Sequence, residues 1–194
     1  DQINRLIGEK VMAIAATGAL LLDGEMGDLH EQIVADGHRD SQAYKDFMAI
    51  LQQIRDVNQA TYVYTLIKVS DEMTNLIVDA AEGEEADPFG TEYEMEPQFE
   101  TAFAGTPDYA VHTWDDEEYG TQKSAFAPIH NSQGEVVAIL GVDYPAPELS
   151  AAGVEEEQEE VAGPAPGTFI LILVVIAVVI GVAILIFKRK QAAA

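Results

Sequence analysis

The chain has 194 residues, 34 of them acidic and 10 basic, and a net charge of −24 makes it a poor partner for nucleic acid or anionic headgroups. Cationic ligands, metal ions and basic protein surfaces suit such a field, beside the plainer role of keeping the surface solvated. Without cysteine there are no disulfides, thiolate metal sites or cysteine nucleophiles, yet the roughly 145 residues ahead of a Pro/Ala/Gly-rich stretch suffice for one hydrophobic core.

Residues 1–22 carry apolar or small side chains at Ile3, Leu6, Ile7, Val11, Ile14, Ala15 and Gly18. That spacing predicts a long amphipathic helix with one buried stripe. Lys10 and the small residues around it argue against a membrane span there. After the break at Asp23-Gly24 come a short helix near 29–35, a polar turn over 36–40 and a further helix. Ser41 is its N-cap, and Tyr44, Phe47, Met48, Leu51 and Ile54 follow at three- and four-residue intervals.

From Thr61 the period changes to two, predicting strands over 61–68 and 74–80 joined at Ser70-Asp71-Glu72. Residues 81–95 are acidic and turn-rich, with Gly83, Pro88 and Gly90, and a short helix over 97–104 ends at Gly105. Three more strands follow over 109–114, 121–129 and 135–144, the last two joined through Asn131-Ser132-Gln133-Gly134. Helices followed by about five mostly antiparallel strands indicate an α+β domain over residues 1–144. Residues 145–168, rich in Ala, Pro, Gly and Glu, read as an acidic linker.

The run that opens at Phe169 and closes at Phe187 contains no charged or polar side chain. As a helix it is about 28 Å long, close to the thickness of a bilayer core. Its many Val and Ile residues do not make it a strand, because in lipid each backbone amide must bond within the segment. Lys188, Arg189 and Lys190 follow at once, and all 34 acidic residues lie before the run. The expectation is a single-pass inner-membrane protein in contact with the lipid bilayer, with a transmembrane helix over 169–187. Residues 188–194 would lie in the cytoplasm and residues 1–144 in the periplasm. Gly181, four residues after Ala177, is a weak helix-packing signal.

A resemblance enters with Gly120-Thr121-Gln122-Lys123-Ser124-Ala125-Phe126-Ala127-Pro128-Ile129 and then Asn131-Ser132-Gln133-Gly134-Glu135-Val136-Val137-Ala138-Ile139-Leu140-Gly141-Val142-Asp143. These stretches resemble the closing hairpin of a Cache domain, the PAS-like extracytoplasmic sensor module of chemoreceptors, histidine kinases and diguanylate cyclases. Upstream, Tyr62-Val63-Tyr64-Thr65-Leu66 and Leu76-Ile77-Val78-Asp79 are similar to the same family. The resemblance implies a PAS/Cache-like five-stranded antiparallel sheet behind N-terminal helices. It also implies a small ligand on one face of that sheet, near Tyr64, Trp114, Tyr119, Lys123 and Asp143. Asp143 beside aromatic rings would hold a ligand ammonium by charge and cation–π contact. The plainer alternative has Tyr64 and Trp114 filling core and Asp143 closing a strand.

Members of that family usually lie between two membrane helices and run on into a signalling domain. Here the sequence opens at Asp1, and only residues 191–194 follow the basic stop. The expectation is therefore a non-enzymatic accessory or structural subunit docked on a larger integral membrane complex, for example a respiratory or photosynthetic one. The alternative is the extracytoplasmic ligand-sensing part of a receptor. No cofactor is expected. The acidic clusters 82–87 and 115–118 lack the pattern of a calcium loop, and His30, His38, His112 and His130 show no metal-ligand spacing. No nucleophile elbow or phosphate-cradling glycine loop is present.

Overall fold

The computed structural model describes residues 2–83 and 86–150. The linker beyond residue 150, the span expected from Phe169 through Gly181 to Phe187, and Lys188, Arg189 and Lys190 lie outside the described residues. Among the described residues no helix is long and apolar enough to cross a membrane.

Three helices lead, α1 (Gln2–Leu20), α2 (Glu25–Asp36) and α3 (Gln42–Asn58). The N-cap of α3 is as expected, the Ser41 hydroxyl accepting from the Tyr44 amide at 3.1 Å. On α1 the expected stripe holds at Val11, Ala15 and Gly18, with Gly8 and Ala19 buried beside them, but fails at Ile3 and Leu6, which are exposed. Close approach selects the small residues. A Cβ on Gly8 would stand 2.4 Å from Cδ2 of Tyr109, and one on Gly18 would stand 3.0 Å from Cδ2 of Leu140.

The strands are β1 (Tyr62–Lys68), β2 (Met73–Asp79), β3 (Glu92–Glu94), β4 (Asp108–Tyr109), β5 (Trp114–Asp116), β6 (Gly120–His130) and β7 (Val136–Pro145), with α4 (Pro97–Phe103) between β3 and β4. They form one sheet of seven strands rather than the expected five, ordered β3-β2-β1-β7-β6-β4, with β5 also on β6. Every pairing between these strands is antiparallel.

Two of the differences have a local cause. The stretch 109–114 is not one strand, because Tyr109 pairs with Ala125 and Trp114 with Gln122. Four residues, 110–113, thus stand against two on β6, and the chain loops out. The extra edge strand β3 lies in the acidic stretch 81–95, where three exposed side chains, Glu-Tyr-Glu, hide the period-two signal.

The two faces of the sheet pack differently. On one, Val63, Ala125, Ala127, Leu140 and Val142 meet α1, α2 and α3 in the main core. On the other, Leu66, Leu76, Phe126 and Ile139 form a smaller cluster with Phe99 and Ala102 of α4. Each large apolar side chain so buried contributes about 1.5–3 kcal/mol. Because one short helix covers the second face, part of that face borders a cavity.

Candidate ligand-binding site

The cavity is about 790 Å³, within the range of small-molecule sites. β1, β2, β6 and β7 supply its floor, and the start of α4, loop 110–113 and β5 supply its walls.

Strand register sets two rows of side chains on this floor. In the first, Asp143 of β7 pairs with Tyr62 on β1 and with Ser124 on β6. In the second, Gly141 pairs with Tyr64 and Phe126. Directly opposed residues share a face, so Asp143 stands between a phenol and a hydroxyl. Trp114 closes the first row from above: its Nε1 donates to Ser124 Oγ at 3.0 Å, and its ring stacks on Tyr62 at 6.2 Å and 24°. Phe99 meets Phe126 edge-on at 4.5 Å and forms the apolar end.

Among the described residues, five carboxylates, Asp79, Asp87, Glu96, Asp116 and Asp143, line the cavity, and no Lys or Arg does. Four of them are engaged locally. Asp79 accepts from the amides of Ala81 and Asp87 at 2.9 and 3.0 Å. Asp87 accepts from the Tyr93 hydroxyl, and Glu96 from the Gln98 amide. Asp116 takes the amides of Glu118 and Tyr119 on Oδ1, both at 2.8 Å, and the Tyr62 hydroxyl on Oδ2 at 3.0 Å.

Asp143, which the Ser124 and Tyr64 hydroxyls approach, keeps one oxygen free. It is 4% exposed, and its Oδ1 is buried with no hydrogen-bond partner. Burial pushes its carboxyl up to about 7, against the opposing pull of the Ser124 and Tyr64 hydroxyls. Near neutral pH it is therefore poised between its acid and its carboxylate. The neighbouring phenols stay protonated: burial, with the Asp143 charge behind it, raises Tyr64 well above the usual tyrosine range, and burial with Asp116 raises Tyr62.

The sequence-predicted residues separate cleanly. Tyr64, Trp114 and Asp143 meet in the cavity. Tyr119 does not line it; its ring packs edge-on against Tyr62 at 5.9 Å, and its amide fixes Asp116. Lys123 lies on the opposite face, because side chains alternate along β6 and its neighbour Ser124 takes the cavity side. There Lys123 Nζ donates to Asn4 Oδ1 at 2.6 Å and to the Val111 carbonyl at 3.1 Å, so it braces loop 110–113 from behind. Burial pulls its ammonium below the usual lysine range.

Tyr62, Ser124 and Phe126 escaped the sequence reading, although once Asp143 is chosen, period two and the register lead to all three. Asp87 and Asp116, read within solvated or calcium-type clusters, line the cavity instead. Among the described residues no group of three or more His, Asp or Glu side chains is placed to hold a metal ion.

No family model matches the sequence, and no curated protein matches it. Solved structures of similar shape include the Escherichia coli DcuS sensor domain, 14% identical, covering 74% of this chain and 92% of that one at a TM-score of 0.49. Another is the ligand-binding domain of the Campylobacter jejuni chemoreceptor Tlp3 in complex with L-valine, 15% identical over 61% of this chain. The chain spans 48% of that domain's length, at a TM-score of 0.37. A phycoerythrobilin-bound GAF domain from a cyanobacterial phytochrome, 14% identical, covers 66% of this chain and 86% of its own at the same TM-score. Likenesses at this level carry no argument about function.

Proposed function

We propose that residues 2–150 form a non-enzymatic, extracytoplasmic sensor domain of Cache-like type, whose cavity binds a small organic cation against Asp143. The supporting observation is the buried, unpartnered Asp143 Oδ1 in a cavity walled by aromatic rings and further carboxylates, with no Lys or Arg among the described lining residues.

A carboxylate oxygen kept out of water without a donor is costly, and an ammonium supplies the missing donor and the opposite charge together. The faces of Tyr62 and Trp114 add attraction for the same cation. A dicarboxylate would meet five acids and, among the described lining residues, no Lys or Arg. The ligand-sensing expectation is favoured over the docking subunit because a docking module needs no such cavity. The extracytoplasmic placement rests on Lys188, Arg189 and Lys190 following the apolar run.

A thermal-shift series tests the reading with alkyl and aromatic monoamines, zwitterionic amino acids and dicarboxylates at pH 8. Amines should raise the melting temperature of the full chain and leave that of Asp143→Asn unmoved. Stabilisation by dicarboxylates, or an amine effect that survives in Asp143→Asn, would overturn it.

A further inference from the structure

Loop 110–113 walls the cavity and is fixed at both ends and in the middle. At its start the Ala110 amide donates to the Ser124 carbonyl at 2.9 Å. Just past its end the Trp114 indole donates to Ser124 Oγ at 3.0 Å. Between them the Val111 carbonyl accepts from Lys123 Nζ and from Asn4 Nδ2, both at 3.1 Å. Val111 thus borders the cavity while its carbonyl is held from the helical face of the sheet. Lys123 and Ser124 are neighbours on β6, so one strand grips the loop from both faces.

The middle anchor is an unfavourable thing to build for stability alone. Lys123 is wholly buried, and among the described residues no carboxylate forms an ion pair with it. Its ammonium meets Asn4 Oδ1 at 2.6 Å, the Val111 carbonyl, and the Tyr109 ring at 5.3 Å from the centroid. A charge taken out of water without a counter-charge weakens a fold, and an apolar side chain of similar volume does as well or better in its place. Packing therefore gives no reason for a lysine here. What the ammonium adds is orientation: it occupies Asn4 Oδ1, which turns Asn4 Nδ2 towards the same carbonyl that Lys123 itself holds.

We propose that Lys123 and Asn4 are positioning residues of the ligand cavity. They set wall 110–113, and with it the Trp114 ring against Tyr62, without touching the ligand. The proposal rests on the cation-site reading for its choice of ligand, but the placement of the loop can be read with no ligand present. Trp114 is the only tryptophan in the sequence and stands at the end of the loop.

The test compares Lys123→Met and Asn4→Ala in the full chain with Lys68→Met, which loses only the exposed pair with Asp71 in the β1–β2 turn. Lys123→Met should melt at or above the wild type. Its ligand-free tryptophan emission should shift to the red and quench more readily with acrylamide, and its Kd for a primary monoamine should rise roughly 3- to 10-fold. Asn4→Ala should move both signals the same way, and Lys68→Met should move neither. Wild-type emission and affinity in Lys123→Met and Asn4→Ala would overturn the proposal. So would an affinity loss that only follows a lower melting temperature, which is what a purely structural role gives. If the wild type binds no amine, the cation reading fails by itself, and an unmoved tryptophan signal in both variants still overturns this one.

Discussion

The Tyr64 ring lies across Gly141, so that a Cβ on that glycine would stand 2.5 Å from Tyr64 Cε2 and 3.1 Å from Phe126 Cε1. The bare backbone of β7 thus seats the ring beside Asp143, two residues further along the strand. Gly141→Ala has to displace Tyr64, and overpacking of this kind costs about 1–3 kcal/mol. Thermal denaturation should show a fall of roughly 2–10 °C, and amine affinity should drop with it. An unchanged melting temperature would mean that the ring is not held where it lies.

Trp114 separates ring attraction from charge. Trp114→Ala removes the indole from the cavity wall, and a cation–π contact is worth about 0.5–2 kcal/mol, so the Kd for an amine should rise roughly 2- to 30-fold. Trp114→Phe loses the bond to Ser124 but keeps a ring and should fall between the two. Equal affinity in all three proteins would remove Trp114 from the site.

Asp143 and His30 make opposite demands on pH. Asp143 titrates at about 7 in the folded chain against 3.8 for a free side chain, so the folded state holds its proton more tightly. Stability from this group is greatest at low pH and is lost as pH rises from about 4 through 7. Asp143→Asn should therefore melt closest to the wild type near pH 4, draw ahead of it as pH rises, and melt several degrees above it at pH 8. A difference that does not vary with pH would contradict the buried carboxylate.

His30 is fully buried against Phe47, its Nε2 at 2.8 Å from Thr65 Oγ1 and its Nδ1 without a partner. Burial lowers its pKa from 6.5 to about 4. Here the unfolded chain takes the proton first, so stability is lost as pH falls from 6.5 through 4. The two slopes nearly cancel between pH 4 and 6.5. Asp143→Asn should expose the histidine slope and become acid-labile, whereas His30→Leu should gain relative stability towards acid. Urea denaturation at half-unit pH steps reads both, and parallel profiles for the three proteins would refute the assignment.

Much of the frame was legible in the sequence because it rests on local rules. Ser41 caps α3 and Asn131-Ser132-Gln133-Gly134 closes the β6–β7 hairpin by short-range chemistry. What escaped depends on distant partners. In β6, residues 121–129 are all buried, so hydrophobicity does not reveal which face each side chain takes, and Lys123, expected beside Asp143 at a ligand site, lies on the face away from the cavity. Ile3 and Leu6 looked like core, yet the sheet comes so close to α1 at Gly8 and Gly18 that only small residues fit. The cavity shares this origin: Trp114 reaches Ser124 because loop 110–113 shifts the register on β6, and that shift leaves no local mark.

The most direct test is calorimetric titration of the full chain with a primary monoamine at pH 6 and at pH 8.5, each in buffers of different ionisation enthalpy. At pH 6 the free site holds a proton on Asp143, so binding an ammonium should release most of one proton to the buffer. At pH 8.5 release should be close to zero, and Asp143→Asn should show neither release nor measurable affinity. Amine binding with no proton release at pH 6, or of equal strength in Asp143→Asn, would contradict the assignment of the cavity as a cation site anchored on Asp143.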